Sequence, residues 1–362
     1  YSVLLLEKTA LASGTSSRSS KLIHGGLRYL EGLDFGLVHE SLTERKILLK
    51  IAPDLVRLKP FHIPVDPDTS RRPLTIRAGL ILYALFGGLD HGSRFKTLER
   101  AKWDRLDGLD TRRLQTVFQY HDAQTNDADL TRAVMQSAIE FGATLSCPAE
   151  FLSATIDPRG VDISYREGDT EKSCRAATLV NAAGPWVNEV ATRISPRPAG
   201  VGIELVQGTH LVLEDGLSAG CYYMEAPQDR RAVFLLPWGR HCMLGTSEHV
   251  YSGDPANVSV LDQEESYLLE VMAHYFPTRS QQVVSRFAGL RVLPASGNSA
   301  FRASRETRLP ADNPRKPRVI AIFGGKLTGY RATAEKVVGK LRRTLPERTS
   351  RGATSTLPLK PV

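Results

Sequence analysis

Residues 15–30 read TSSRSSKLIHGGLRYL, and the fold turns on how this stretch is understood. Its first half supplies hydroxyls from Thr15, Ser16, Ser17, Ser19 and Ser20 and a run of backbone N–H groups. Such a loop can cradle a pyrophosphate or the polar edge of a flat cofactor, although most Ser-rich stretches are solvated surface loops. In the second half, a helical turn over 27–30 would make His24 and Arg28 i,i+4 neighbours facing one pocket. Gly25 and Gly26 carry no side chains, so a flat ring can approach the backbone there. An imidazole, a guanidinium and the Tyr29 phenol so close together make a polar site. Each alone is more often structural; the set is harder to dismiss.

Working outward, residues 2–7 (SVLLLE) read as a short buried strand that ends in an acid. In a dinucleotide-binding unit an acid in the position of Glu7 accepts from a ribose hydroxyl. No GxGxxG precedes it, and Gly25-Gly26, Gly87-Gly88 and Gly324-Gly325 lack the spacing. Residues 33–51 read as a helix, after which Pro53, Pro60, Pro64, Pro67 and Pro73 break up the chain. Residues 127–142 form the best amphipathic helix, with Leu130, Val134, Ala138 and Phe141 on one face and Asp127 or Asp129 as cap. Residues 151–156 and 161–165 read as paired strands, and 177–181 as a buried strand running into AAGPW. The 201–251 segment is strand-rich. A helix over 262–275 follows, then a strand over 319–323 leading into GGKLTGYR and a helix over 328–343. The tail from 344 to 362 is polar and proline-bearing, and is expected to be loosely held.

Strands alternating with helices around a strand-rich middle imply an α/β fold: a Rossmann-like cofactor domain interleaved with a strand-rich α+β domain. The expected partition gives 1–40, 120–200 and 285–345 to the first and 41–119 and 201–284 to the second. Residues 346–362 then form a tail or the start of a further domain.

The composition narrows the function. Forty-seven basic against 39 acidic residues give a net charge of +8, spread without runs of like charge. With no helix-turn-helix, zinc finger or aromatic stacking motif, nucleic acid is not the expected partner. An anionic substrate, cofactor or lipid surface suits the charge. Cys147, Cys174, Cys221 and Cys242 form no CxxC pair and no metal-ligand spacing, so they read as reduced and structural, and no metal is expected. The longest apolar run, 78–89 (AGLILYALFGGL), is shorter than the roughly 20 residues of a membrane span. Flanked by Arg71, Arg72, Arg77 and Arg94, it reads as a buried helix or as one lying on a membrane surface.

The string SGTSSRSSKLIHGGLRYLE at 13–31 resembles the flavin-proximal segment of FAD-dependent glycerol-3-phosphate dehydrogenases, in the D-amino-acid-oxidase-like group of flavoproteins. Four later stretches resemble the same family in the same order: LVNAAGPWVNEVA (179–191), FLLPWGRHCMLGTSEHVYSGDP (234–255), AGLRVL (288–293) and FGGKLTGYRATAEKV (323–337). The resemblance implies FAD as cofactor and sn-glycerol 3-phosphate as substrate. It also implies a quinone as electron acceptor and peripheral attachment to the cytoplasmic face of the inner membrane.

Residue by residue, it places Glu7 at the adenosine ribose and Ser16, Ser17, Ser20 and Lys21 along the phosphates and flavin. Gly25, Gly26, Ala183, Gly184, Gly324 and Gly325 would let backbone approach the cofactor. Arg28 and Arg291 would hold the substrate's phosphate, since the guanidinium fork pairs bidentately with oxygen anions. Tyr29 and His210 would add contacts, and Lys326 would sit at the substrate–flavin face. His24 is the first candidate for general base and Glu248 the second; the family has Asp where this chain reads GTSE.

The resemblance further implies a glycine-bearing strand before Tyr1 and a helical domain after Val362. An oxidase of the same fold, a dehydrogenase of another small hydroxy or amino acid, and a non-catalytic chain keeping only the fold stay open. The oligomeric state is not set; a dimer is one outcome.

Overall fold

The structure, a computed structural model, describes residues 1–90, 92–295 and 307–362. In chain order its strands are β1 (Leu4–Leu6), β2 (Leu22–Ile23), β3 (Val56–Val65), β4 (Lys96–Thr97), β5 (Thr116–Thr125), β6 (Thr144–Ser146), β7 (Ala149–Asp157), β8 (Gly160–Glu167) and β9 (Thr170–Ala176). Then come β10 (Leu179–Asn181), β11 (Ile194–Ser195), β12 (Ile203–Leu213), β13 (Cys221–Glu225), β14 (Ala232–Trp238), β15 (His241–Gly245), β16 (His249–Tyr251), β17 (Val283–Pro294) and β18 (Val319–Ala321). The α-helices are α1 (Phe35–Ile51), α2 (Pro73–Phe86), α3 (Asp127–Glu140), α4 (Val187–Thr192), α5 (Asp262–Tyr275) and α6 (Tyr330–Leu341).

One large sheet dominates. Its ten strands run β16-β12-β15-β14-β13-β3-β5-β2, with β17 also on β12 and β4 also on β5. Both faces are covered, and the sequence shows why. In β15, Cys242 and Leu244 pack with Leu268, Val271 and Met272 of α5, while Met243 between them packs with Leu42 of α1 and Leu80 and Tyr83 of α2. Successive strand side chains point to opposite faces, so a strand buried on both sides reads as an unbroken apolar run. That is the reading of AVFLLPW and HCMLG.

The remaining strands form smaller sheets. β1 pairs with β6 and β10 with β18, both in parallel, and a four-stranded sheet runs β11-β7-β8-β9. Among the described residues no ladder joins the two parallel pairs. Their apolar side chains are correspondingly open: Leu5 is 40% and Val180 38% exposed.

Several expectations need correction. The proline-punctuated stretch after residue 53 is not broken up but holds β3, whose ladder to β5 runs from Val56 to Val65. Pro60 and Pro64, four residues apart, share one edge of the strand, so the bonds they lack fall on one side only. β5 itself went unread. The cap of α3 is Asn126, whose side chain accepts from the Ala128 N–H; Asp127 has another task, described below. The short strand 2–7, expected to be buried, is largely exposed as β1. The tail is not loose at its end: Leu359 N–H donates to the Ile51 carbonyl, and its side chain packs beside Leu48 and Ile51. The ten-stranded sheet draws β2, β5 and β17 from segments assigned to the cofactor domain, so sheet pairing crosses the expected boundaries at 119/120 and 284/285. α2 is buried on one face only, through Leu80, Tyr83 and Ala84, and leaves Leu74 78% exposed, with Ile81, Leu82 and Leu85 also open. Among the described residues no helix is long and apolar enough to cross a membrane.

Candidate active site

A cleft opens against one face of the large sheet, lined by His24, Gly26, Arg28, Tyr29, Glu248 and Arg291 among others. The structure thus brings together residues from 24–29, 248 and 291.

The turn that carries His24 is held from below. Leu27–Leu30 forms a 3-10 turn entered through Gly26, whose φ of +76° lies in the left-handed region that only glycine adopts at little cost. The Gly25 N–H donates to Tyr83 Oη at 2.9 Å and to Asp122 Oδ1 at 3.2 Å. Asp122 is itself buried in an ion pair with Arg45 (Nη1 to Oδ1 2.5 Å) and accepts from Tyr83 Oη at 2.8 Å. Burial pushes the Asp122 carboxyl up, against the opposing pull of Arg45. The space at Gly25 is filled by protein: a Cβ there would lie 2.4 Å from Leu42 and from the Tyr83 hydroxyl. Gly25 is therefore required by packing, not left open for a ring. The backbone of His24 is clamped by Thr328, whose Oγ1 accepts the His24 N–H at 3.1 Å and donates to its carbonyl at 3.2 Å. The His24 and Tyr29 rings stack at 6.4 Å. Lys326 Nζ lies 4.5 Å above the Tyr29 ring and donates to Ser41 Oγ at 2.9 Å.

On the opposite wall the two arginines converge. Glu248 Oε1 lies 2.8 Å from Arg291 Nη1 and 3.9 Å from Arg28 Nη2. Arg291 Nη2 also donates to Thr246 Oγ1 at 2.9 Å. Arg291 leaves β17 opposite Val206 of β12 and crosses Gly208, where a Cβ would sit 2.7 Å from Nη2. The 245–248 loop is fixed from behind: Ser247 Oγ donates to Glu264 Oε1 at 2.6 Å and accepts the Thr209 N–H at 2.9 Å. Gly208, Ser247 and Glu264 escaped the sequence reading, because nothing in their spacing signals a contact made across strands.

Two expected residues sit elsewhere than the reading placed them. Lys21, expected along the phosphates, is buried with Nζ 2.6 Å from Asp127 Oδ1, between the faces of Trp238 and Phe287. Burial lowers its pKa, opposed by Asp127. Asp127 Oδ2 also accepts from the Ser19 N–H and hydroxyl at 3.0 and 2.6 Å. This pair pins the Ser-rich loop to the start of α3, so Lys21 anchors the loop. His210 reaches the cleft only through Ser20, with Nε2 and Oγ 3.0 Å apart. Buried and stacked on Phe287, it is held neutral, its pKa lowered to about 3 by burial and then by the charges of Arg291 and Lys21.

The cofactor-side residues lie at strand ends. Ala183 and Gly184 follow β10, and Gly324 and Gly325 follow β18. Because these strands are parallel and in register from Leu179 with Val319, both turns leave the same edge of the pair, where open α/β sheets take their ligands. Gly324 and Gly325 precede the 3-10 turn Leu327–Gly329, and α6 begins only at Tyr330. Glu7 follows β1, its N–H bonded to the Ser146 carbonyl and its Oε1 accepting the Thr9 N–H at 3.1 Å. Ser16 and Ser17 belong to the 3-10 turn Thr15–Ser17. Thr15 Oγ1 fastens that turn to the Leu290 carbonyl of β17 at 3.0 Å.

An open edge of parallel strands, set against a two-faced sheet with a charged cleft, defines a mixed α/β fold with a Rossmann-like cofactor part. Residues 1–334 match the DAO family, FAD dependent oxidoreductase; the chain belongs to that family, with FAD as its cofactor. It is 36% identical over 350 residues to a glycerol-3-phosphate dehydrogenase of Pseudomonas aeruginosa, covering 94% of this chain and 67% of the relative. It is 33% identical over 351 residues to D-erythritol 1-phosphate dehydrogenase of Brucella abortus, covering 95% and 70%. The solved glycerol-3-phosphate dehydrogenase of Bacillus halodurans, complexed with FAD, superposes with a TM-score of 0.75 at 25% identity, over 98% of this chain and 62% of that one. The chain thus spans about two thirds of the length of these relatives.

The residues present fit FAD. Among the described residues, a Cβ at Gly184 (φ +55°) would meet nothing within 4 Å, and one at Gly325 (φ +116°) only Thr307 Oγ1 at 3.6 Å. Open space beside bare backbone at a parallel strand edge is what a close-lying cofactor needs.

Proposed function

We propose that the protein oxidises sn-glycerol 3-phosphate to dihydroxyacetone phosphate, with Arg28 and Arg291 holding the phosphate. The observation that carries this reading is their convergence on one carboxylate oxygen of Glu248: two guanidinium groups already share a single anion at the wall of the cleft. FAD would be held by the cofactor contacts named below and would supply the acceptor for the carbon-2 hydride, with a quinone as the proposed onward acceptor.

The chain's own residues do the rest. His24, held at its backbone by Thr328, takes the proton of the carbon-2 hydroxyl, since an imidazole is basic enough near neutral pH. Glu248 is the second candidate for that proton. Tyr29 and Lys326 close the side of the cleft toward Gly324 and Gly325. Glu7, Ser16, Ser17, Ser20, Gly26, Ala183, Gly184, Gly324 and Gly325 are the proposed cofactor contacts.

For the membrane that carries the quinone we propose the open face of α2. Leu74, Ile81, Leu82 and Leu85 are exposed there, and Arg72 and Arg77 are exposed beside them, the pairing that favours an anionic lipid surface.

The relative acting on D-erythritol 1-phosphate favours a second reading, a longer polyol phosphate in the same site. Dye-linked turnover separates the two. The protein supplied with FAD is assayed with glycerol 3-phosphate, erythritol 1-phosphate and a 2-hydroxy acid, using dye and then oxygen as acceptor. Preference for glycerol 3-phosphate with the dye is expected. Preference for erythritol 1-phosphate selects the second reading, and preference for the hydroxy acid refutes both.

A further inference from the structure

The carboxylate that reveals the arginine pair also obstructs it. Glu248 is only 9% exposed at its side chain, and the same oxygen serves both Arg291 and Arg28. Arg28, Arg291 and Glu248 together carry a single net positive charge. A phosphate dianion entering beside a retained Glu248 would set its own two negative charges and that of Glu248 against these two guanidinium groups, in a cleft where water screens them poorly. Its oxygens would also have to share guanidinium donors that Glu248 already uses.

We propose that Glu248 is an internal counter-anion that occupies the two-arginine site until the substrate's phosphate displaces it. It would thereby set how strongly an anion must bind to enter. The inference rests on the reading of Arg28 and Arg291 as the phosphate site.

The surroundings suit a side chain that swings on a fixed backbone. Ser247, next in the chain, is locked to Glu264 and to the Thr209 N–H, so the loop does not have to move. Arg231 Nη1 donates to the Glu248 carbonyl at 2.8 Å, which brings a third guanidinium within reach of the displaced carboxylate. Chain length matters here too: one methylene more than Asp carries the carboxylate to Arg291, so a shorter acid would compete less.

The test is calorimetric titration of the FAD-loaded protein with inorganic phosphate and, separately, with glycerol 3-phosphate under exclusion of electron acceptors. Glu248→Gln keeps the shape and removes the charge, and is expected to bind phosphate about tenfold more tightly. Glu248→Asp is expected to fall between, and carries the test if the Gln variant does not fold. The KM for glycerol 3-phosphate in Glu248→Gln should fall in parallel. Phosphate binding that is unchanged or weaker in both variants overturns the counter-anion role. Arg291→Ala separates this from the function itself. If it abolishes phosphate binding while the Glu248 variants bind as the parent does, only the present inference fails. If Arg291→Ala binds phosphate as the parent does, the phosphate site and the function built on it fail together.

Discussion

The cleft and the cofactor edge are built in opposite ways. Around the cleft, every wall is tied by buried charge: Arg45 with Asp122, Lys21 with Asp127, and Glu264 with Ser247. At the cofactor edge no ladder joins the two parallel pairs among the described residues, Leu5 and Val180 are open to solvent, and the turns carry bare glycine backbone. The charged walls and the bare glycine turns suit what each part must recognise. A small anion has to be met by side chains fixed to within fractions of an ångström. A large flat cofactor is met mainly by backbone and shape, which need space more than charge.

This contrast can be broken or sharpened by experiment. The largest effect is expected at the arginines. Arg291→Ala should lower kcat/KM for glycerol 3-phosphate by roughly 100- to 1000-fold, as loss of a desolvated charge partner does. Arg28→Ala should cost less, since its contact to Glu248 is longer, 3.9 against 2.8 Å; steady-state kinetics with a dye acceptor check both.

Next comes the network below the cleft. Asp122→Ala strands a buried guanidinium and should cost about 3–5 kcal/mol in urea unfolding, whereas Asp122→Asn, which keeps an acceptor for Tyr83 and Gly25, should cost less.

Acid should weaken the large sheet through its buried histidines. His62 is lowered to about 4 and His210 to about 3, in each case chiefly by burial. Each is bound neutral when folded but takes a proton near pH 6.5 when unfolded. Their contribution is therefore complete above pH 6.5 and lost as pH falls, down to about 4 for His62 and about 3 for His210. Each histidine should remove about 1.4 kcal/mol per pH unit there, seen as a falling urea midpoint. A midpoint that holds steady from pH 7.5 to 5 would contradict their neutral burial.

The smallest effect belongs to the cofactor edge. Leu5→Ala, at 40% exposure, should change stability by less than about 1 kcal/mol, while Leu211→Ala, fully buried in the large sheet, should cost about 2–5 kcal/mol. Equal costs would erase the contrast. In the same comparison, Gly184→Val should reduce retained flavin absorbance while leaving the urea midpoint of the large sheet in place.

Much of this was legible in the sequence, for local reasons. Residues 24–29 stand in a short stretch whose chemistry shows on inspection, residues 184, 291 and 325 are named by the family resemblance, and α3 and α5 announce themselves by periodicity. What stayed hidden was made by distant pairing. β3 looked broken because its prolines suggest turns when the strand that accepts them, β5, is some 60 residues away. Lys21 looked like a phosphate ligand because Asp127, its partner, lies 106 positions along the chain. Glu248 looked like a candidate base; its engagement by two arginines from 28 and 291 appears only once the sheet has brought them together.

The most direct test of the central claim is a crystal structure of the FAD-loaded protein with glycerol 3-phosphate. The phosphate should lie within hydrogen-bond distance of both Arg28 and Arg291, with Glu248 turned away from them and carbon 2 toward the His24 side of the cleft. A phosphate bound elsewhere, with Glu248 still joined to Arg291, would contradict the account.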